Sequence, residues 1–131
     1  MPAYIQYERT DRYIIQHNKC RDMKKQIAIT GIHTGVGKTI ATAVLAEALG
    51  AHYWKPVQAG GLDETDSMIV KKLISNGESR VHPEGAILTQ PLSPHTAAKM
   101  DGVTVDHTLF QWPKTDGFLL VETAGGVLSP M

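Results

Sequence analysis

The sequence predicts an α/β fold, a parallel sheet with helices on both faces, and three observations carry that prediction. Short apolar runs alternate with segments of helical spacing along the chain. Three of the apolar runs end in turns loaded with functional side chains: 31–39, 55–61 and 122–126. One of these turns, Gly31-Ile-His-Thr-Gly-Val-Gly-Lys-Thr39, has the make-up of a phosphate cradle.

The cradle follows the apolar run Gln26-Ile-Ala-Ile-Thr30, read as a strand, and precedes a helix. Its glycines let backbone N–H groups approach a polyphosphate, and the helix N-terminus adds partial positive charge. Lys38 is placed to reach the terminal phosphates, and Thr39 carries the hydroxyl that ligates magnesium in such loops. Five residues rather than four separate Gly31 from Gly37, so a strict Walker A pattern read back from Gly37 would need glycine at Ile32. In the helix that follows, Ile40, Val44, Leu45 and Leu49 recur at helical spacing, and Gly50 marks the stop.

The later elements follow the same alternation. His52-Tyr-Trp-Lys-Pro-Val57 reads as the second strand and Gln58-Ala-Gly-Gly61 as its turn. Residues 67–74 form a short amphipathic helix ended by Asn76-Gly77. Gly85-Ala-Ile-Leu-Thr89 is a strand closed by Pro91 and Pro94, and Ser93-Pro94 starts a helix with Ser93 as cap. Residues 105–110 read as a poor helix, and Phe118-Leu-Leu-Val-Glu122 as a buried parallel strand. The expected class is thus α/β of the P-loop NTPase type, with ligands beyond the carboxyl ends of the strands. Residues 1–22 are polar and tyrosine-bearing. They are expected to be an extension outside the core, through a misassigned start codon, with a docking arm (Tyr4, Ile5, Tyr7, Tyr13, Ile14, Ile15) as the rival reading.

Composition narrows the function. At 131 residues, 42% hydrophobic and 20% charged, the chain has the make-up of one soluble globular domain. Thirteen basic and thirteen acidic residues cancel without long blocks, which argues against nucleic acid or an anionic membrane as partner. The single Cys20 forms no internal disulfide, no Cys/His cluster has zinc-ligand spacing, and no apolar run approaches a membrane span. A cytoplasmic location is expected.

Three further residues stand out. Lys55, at a strand end, faces the same sheet edge as the cradle if it is not a surface lysine. Asp63 and Asp66 are candidate magnesium ligands, with helix N-capping as the alternative. Glu122 ends an apolar strand, where a carboxylate needs a cation or donor partner; metal ligation is the favoured account.

Together the cradle, Lys55-Pro-Val-Gln58, Ser93-Pro-His95 and Val121-Glu-Thr-Ala-Gly-Gly126 resemble the dethiobiotin synthetase family, from about Lys24 to the end of the chain. The resemblance implies an ATP- and magnesium-dependent ligase of biotin biosynthesis, a homodimer. It would join CO2 to 7,8-diaminononanoate through a carbamate and a carbamic-phosphoric anhydride. It implies Lys38 and Lys55 as catalytic residues. It places the nucleotide on Gly35, Val36, Gly37, Lys38, Thr39, Ile40, Asp66, Glu122, Thr123, Ala124 and Gly125. Thr39, Asp66 and Glu122 would surround magnesium, and Thr34 and Ala59 would lie near the diamine. Three positions depart from the family pattern: Ala59 for a hydroxyl residue, Thr123 for glycine and His33 for aspartate. Members of the family run on for further strands and helices, so residues 23–131 are expected to be the N-terminal part of one such domain, inactive alone. The rival readings are another synthetase of the superfamily and a non-catalytic nucleotide-sensing module. His33 stands where partition-type ATPases carry a lysine, which argues against those.

Overall fold

The structure, a computed structural model, describes residues 25–106, 108 and 110–129; the expected N-terminal extension lies outside them. In chain order the elements are β1 (Gln26–Ile29), α1 (Lys38–Leu49), β2 (His52–Trp54), β3 (Val57–Ala59), α2 (Asp66–Leu73), α3 (Gly77–Arg80), β4 (Val81–His82), β5 (Ala86–Leu88), α4 (Pro94–Asp101) and β6 (Leu119–Glu122). Four strands form one sheet in the order β1-β6-β2-β4, and β3 pairs with β5 in a second, smaller sheet. Every pairing is parallel. The expected P-loop NTPase-type α/β class is therefore what the chain adopts.

The last strand in sequence is central in space. β6 lies between β1 and β2, with Ile29 opposite Glu122 and Trp54 opposite Val121. All four residues of β6 are buried, as a strand covered on both faces requires. Alternation along β2 and β6 sends Tyr53 and Leu120 to the face covered by α1 and α2, where Ala43, Ala46, Val70 and Ile74 close the core. Trp54, Leu119 and Val121 point the other way, and Phe110 packs on them.

Two sequence expectations about β2 and its turn are corrected. The strand expected over 52–57 breaks at Lys55-Pro56. Pro56 offers no N–H to a ladder, and its carbonyl instead accepts from both Gly85 N (2.8 Å) and Ala86 N (2.9 Å). The chain passes there from the larger sheet into the smaller. Gln58 and Ala59, read as turn, belong to β3. Gly60 follows with φ of +68°, and a Cβ there would meet Pro91 Cα at 2.5 Å. The helix α3 and strand β4 were not anticipated; they are only four and two residues long.

The apolar stripe that marks α1 in the sequence does not face the core. Ile40, Val44, Leu45 and Leu49 are 55%, 63%, 39% and 42% exposed, and the buried residues are Thr42, Ala43 and Ala46. Small side chains bring the helix close to the sheet and leave space for the ring of Tyr53. The C-terminal end of α1 is tied down by Arg80, which donates to the Ala46 and Ala51 carbonyls and pairs with Glu47.

Helix α2 starts one residue earlier than expected, and its cap is Thr65, whose hydroxyl accepts from Met68 N at 3.2 Å. Ser93 precedes α4 as expected but bonds Thr96 Oγ1 at 2.9 Å and caps no backbone N–H. Thr65→Ala should therefore destabilise the protein by about 1 kcal/mol, and Ser93→Ala by only a few tenths. Urea unfolding of the two variants measures the difference, and equal losses would contradict the capping assignment.

Candidate active site

The cradle joins β1 to α1 and is shaped by glycine. Gly35 and Gly37 have φ of +74° and +90°, in the left-handed region that other residues avoid. Gly37 is the N-cap of α1 and has no side chain to offer, so no side-chain cap occupies the helix entrance. Lys38 folds back across the loop and donates to His33 O at 3.3 Å. The turn after β6 closes the other side, where Thr123 N donates to Ile29 O and Val127 N to Gly31 O.

A cleft of about 630 Å³ opens at the carboxyl ends of β1, β2 and β6. The three turns singled out in the sequence converge on it. Thr34, Gly35, Gly37, Lys38, Thr39 and Ile40 line one side, Lys55, Ala59 and Asp66 a second, and Glu122, Ala124 and Gly125 a third. Ser93 at the start of α4 completes the wall. Two expected residues fall outside this lining. The Val36 side chain lies against Gly31 and is partly exposed. Thr123, one residue out of phase with Glu122, donates to Thr30 Oγ1 at 3.1 Å. Asp63, the alternative to Asp66, is exposed and does not line the cleft.

At the floor of the cleft one cation and two carboxylates meet. Lys55 Nζ is 2.5 Å from Asp66 Oδ2 and 3.5 Å from Glu122 Oε1. Lys55 and Glu122 are 5% and 1% exposed, so neither charge is shared with solvent. Removing one partner from such a group typically costs about 3–5 kcal/mol, because the other is left uncompensated. Thr39 Oγ1 is 2.7 Å from Asp66 Oδ1 and 3.0 Å from Glu122 Oε1. A hydroxyl has a single proton and can serve only one of those oxygens at a time. Three oxygens from Thr39, Asp66 and Glu122 thus converge, with the Lys55 ammonium beside them. That set of hard oxygen donors fits a magnesium ion, which takes oxygen ligands and keeps waters and substrate phosphates in its remaining positions. Among the described residues no cluster of three or more His, Cys, Asp and Glu competes as a metal site.

Burial alone would raise the Asp66 pKa, but the hydrogen bonds from Lys55 and Thr39 and the charge of Lys55 outweigh it and hold the carboxyl below its ordinary value. Burial, and then the negative charge of Glu122, pushes the Tyr53 phenol far above its usual range. The Tyr53 hydroxyl donates to Glu122 Oε2 at 3.0 Å. Neither Tyr53 nor Gln58 was assigned a place in the site from sequence. Gln58 is buried, donates to Gly60 O at 2.8 Å, and accepts from Asp66 N at 3.4 Å. The sequence carries little signal for Tyr53, because its partner Glu122 lies on a strand far along the chain.

A glycine cradle at the end of the first strand, its lysine, and an oxygen-rich floor define a P-loop nucleotide-binding protein. The sequence matches the family described as AAA domain over residues 25–131, and the chain belongs to that family. Among curated proteins it is similar to the ATP-dependent dethiobiotin synthetase of Rhodopseudomonas palustris (strain HaA2), 51% identical over 109 residues, which are 83% of this chain and 51% of that protein. The corresponding synthetase of Chlamydia pneumoniae is 51% identical over 106 residues, 81% of this chain and 47% of the relative. That of Christiangramia forsetii is 47% identical over 109 residues, 83% and 53%. The resemblance read from four motifs is thereby borne out. The chain spans about half the length of the curated relatives it matches.

The depressed pKa of Asp66 gives the site a pH signature. Its ionised form stabilises the fold above the ordinary value of 3.8, and that contribution disappears as pH falls through the lower folded-state value. Wild type should therefore be more stable than Asp66→Asn near neutrality, and the gap should close as pH falls below 3.8. Urea melts at a series of acidic pH values follow this; a gap independent of pH would show that ionised Asp66 contributes nothing.

Proposed function

We propose that the site serves an ATP- and magnesium-dependent ligation in which 7,8-diaminononanoate and CO2 are closed to the cyclic urea of dethiobiotin. The observation that carries the reading is the buried Lys55, held between Asp66 and Glu122 at the floor of a P-loop cleft. The chemistry needs a cation there. One amine captures CO2 as a carbamate and gives up a proton; the carbamate oxygen then attacks the γ-phosphorus and ADP leaves. The second amine attacks the carbonyl carbon of the mixed anhydride; a C–N bond forms, the C–O bond to phosphate breaks, and the amine's proton leaves with the phosphate. Two anions must meet in the middle step, and Lys55 screens them while developing charge spreads over the phosphoryl oxygens.

In the same reading Lys38 and the N–H groups of the 35–40 loop hold the phosphates. Thr39, Asp66 and Glu122 would hold magnesium, which when bound neutralises charge on the phosphate oxygens. Ala124 and Gly125 flank the nucleotide, with Val36 and Thr123 contributing backbone rather than side chain. Thr34 and Ala59 face the diamine, and Ser93 brings a hydroxyl to the wall that Ala59 lacks. A cytoplasmic homodimer, with residues 23–131 as one part of the enzyme's domain, completes the proposal. Among the described residues no helix is long and apolar enough to cross a membrane.

The reading is tested by phosphate release from ATP in the full-length protein, with diamine and bicarbonate added or withheld. Release that requires the diamine supports it; nucleotide binding with no diamine-dependent release would favour a sensing module. Lys38→Ala should weaken nucleotide binding about tenfold or more, whereas Lys55→Gln should slow turnover at least about a hundredfold with affinity nearly kept. Isothermal titration with a non-hydrolysable analogue, run beside the release assay, separates the two, and equal losses of affinity would remove the distinction.

A further inference from the structure

Tyr53 is a fully buried side chain, with no exposed surface, in the core between α1 and the sheet. A phenylalanine would fill that space with almost the same volume and no polar atom to satisfy. The hydroxyl therefore needs a reason, because a buried O–H without a partner costs about 1–3 kcal/mol. Its partner is Glu122 Oε2, at 3.0 Å. The other oxygen of the same carboxyl, Oε1, faces Thr39 at 3.0 Å and Lys55 at 3.5 Å. The two oxygens thus look in different directions, one into the core and one into the cleft. A carboxyl group turns about a broad, nearly two-fold terminal torsion and has no rotamer of its own to fix this orientation.

We infer that Tyr53 is a positioning residue: by holding Oε2 it commits Oε1 of Glu122 to the Thr39 side, where the nucleotide's magnesium would be bound. The inference rests on the nucleotide-and-magnesium part of the proposed function and not on the identity of the diamine. Tyr53 touches neither nucleotide nor substrate in this account. Register supplies the distance: β2 and β6 are paired with Tyr53 opposite Leu120, so the phenol reaches along the sheet toward Glu122 two residues on. Among the described residues that donate to Glu122, Thr39 and Lys55 line the cleft, and Tyr53 approaches from the core.

A double-mutant cycle on the full-length protein tests it, read by isothermal titration of a non-hydrolysable ATP analogue with and without magnesium. Tyr53→Phe should reduce the tightening that magnesium brings by at least about fivefold, while affinity without magnesium stays within about twofold. In a Glu122→Gln background the same substitution should produce no further loss, since an amide held by Tyr53 has no second oxygen to commit to the cleft. Full magnesium enhancement in Tyr53→Phe, or losses that simply add in the double variant, would overturn the inference. So would a Tyr53→Phe protein without a cooperative melt, which would make the hydroxyl a requirement of folding. Wild-type protein with no diamine-dependent phosphate release refutes the substrate assignment and leaves these binding outcomes readable.

Discussion

The carboxyl of Glu122 is the constraint around which the rest is built. It is 1% exposed, at the end of the central strand, and takes contacts from Thr39, Lys55 and Tyr53. A charge in that place is tolerated only when every side is answered. The answers come from the first turn of α1, the middle of β2, and the residue that follows β2. Satisfying one buried group thereby brings the cradle lysine, the floor lysine and Asp66 to a single cleft.

The break in β2 serves the same end. Were the strand to continue through Pro56, Lys55 would be one more ladder residue with its side chain over the sheet. Ending the ladder at Trp54 leaves Lys55 at the sheet's edge, under the loop, and hands the chain to a second sheet that forms another wall of the cleft. Helix α2 then begins at Asp66 because Thr65 takes the cap. The aspartate is left free of that duty and can turn toward the lysine.

Much of this was legible in the sequence, because glycine turns, apolar strands and strand-end charges have local causes. The cradle, the late strand 118–122 and the helix at Pro94 needed no tertiary information. Asp66 could not be chosen over Asp63 by spacing, since both precede the same helix and only three-dimensional placement separates them. Tyr53 reads as an ordinary strand aromatic until β6 is seen to run beside β2, a pairing between residues far apart in the chain. The outward turn of Ile40, Val44, Leu45 and Leu49 was hidden for a related reason. Periodicity reports which residues share a face, and the depth at which that face sits is decided by what lies beneath. Here a tyrosine ring occupies the space under Ala43 and Ala46.

The carbonyl of Pro56 accepts from two successive amides, Gly85 and Ala86, on the strand that leads toward Ser93. It lies one residue beyond Lys55 in the chain. These bonds start the β3–β5 ladder at the point where the chain leaves the larger sheet, next to the buried cation, like a shutter whose pin is set in the frame. The Lys55 backbone and the strand that leads to the Ser93 wall therefore share one anchor, and neither is placed without the other.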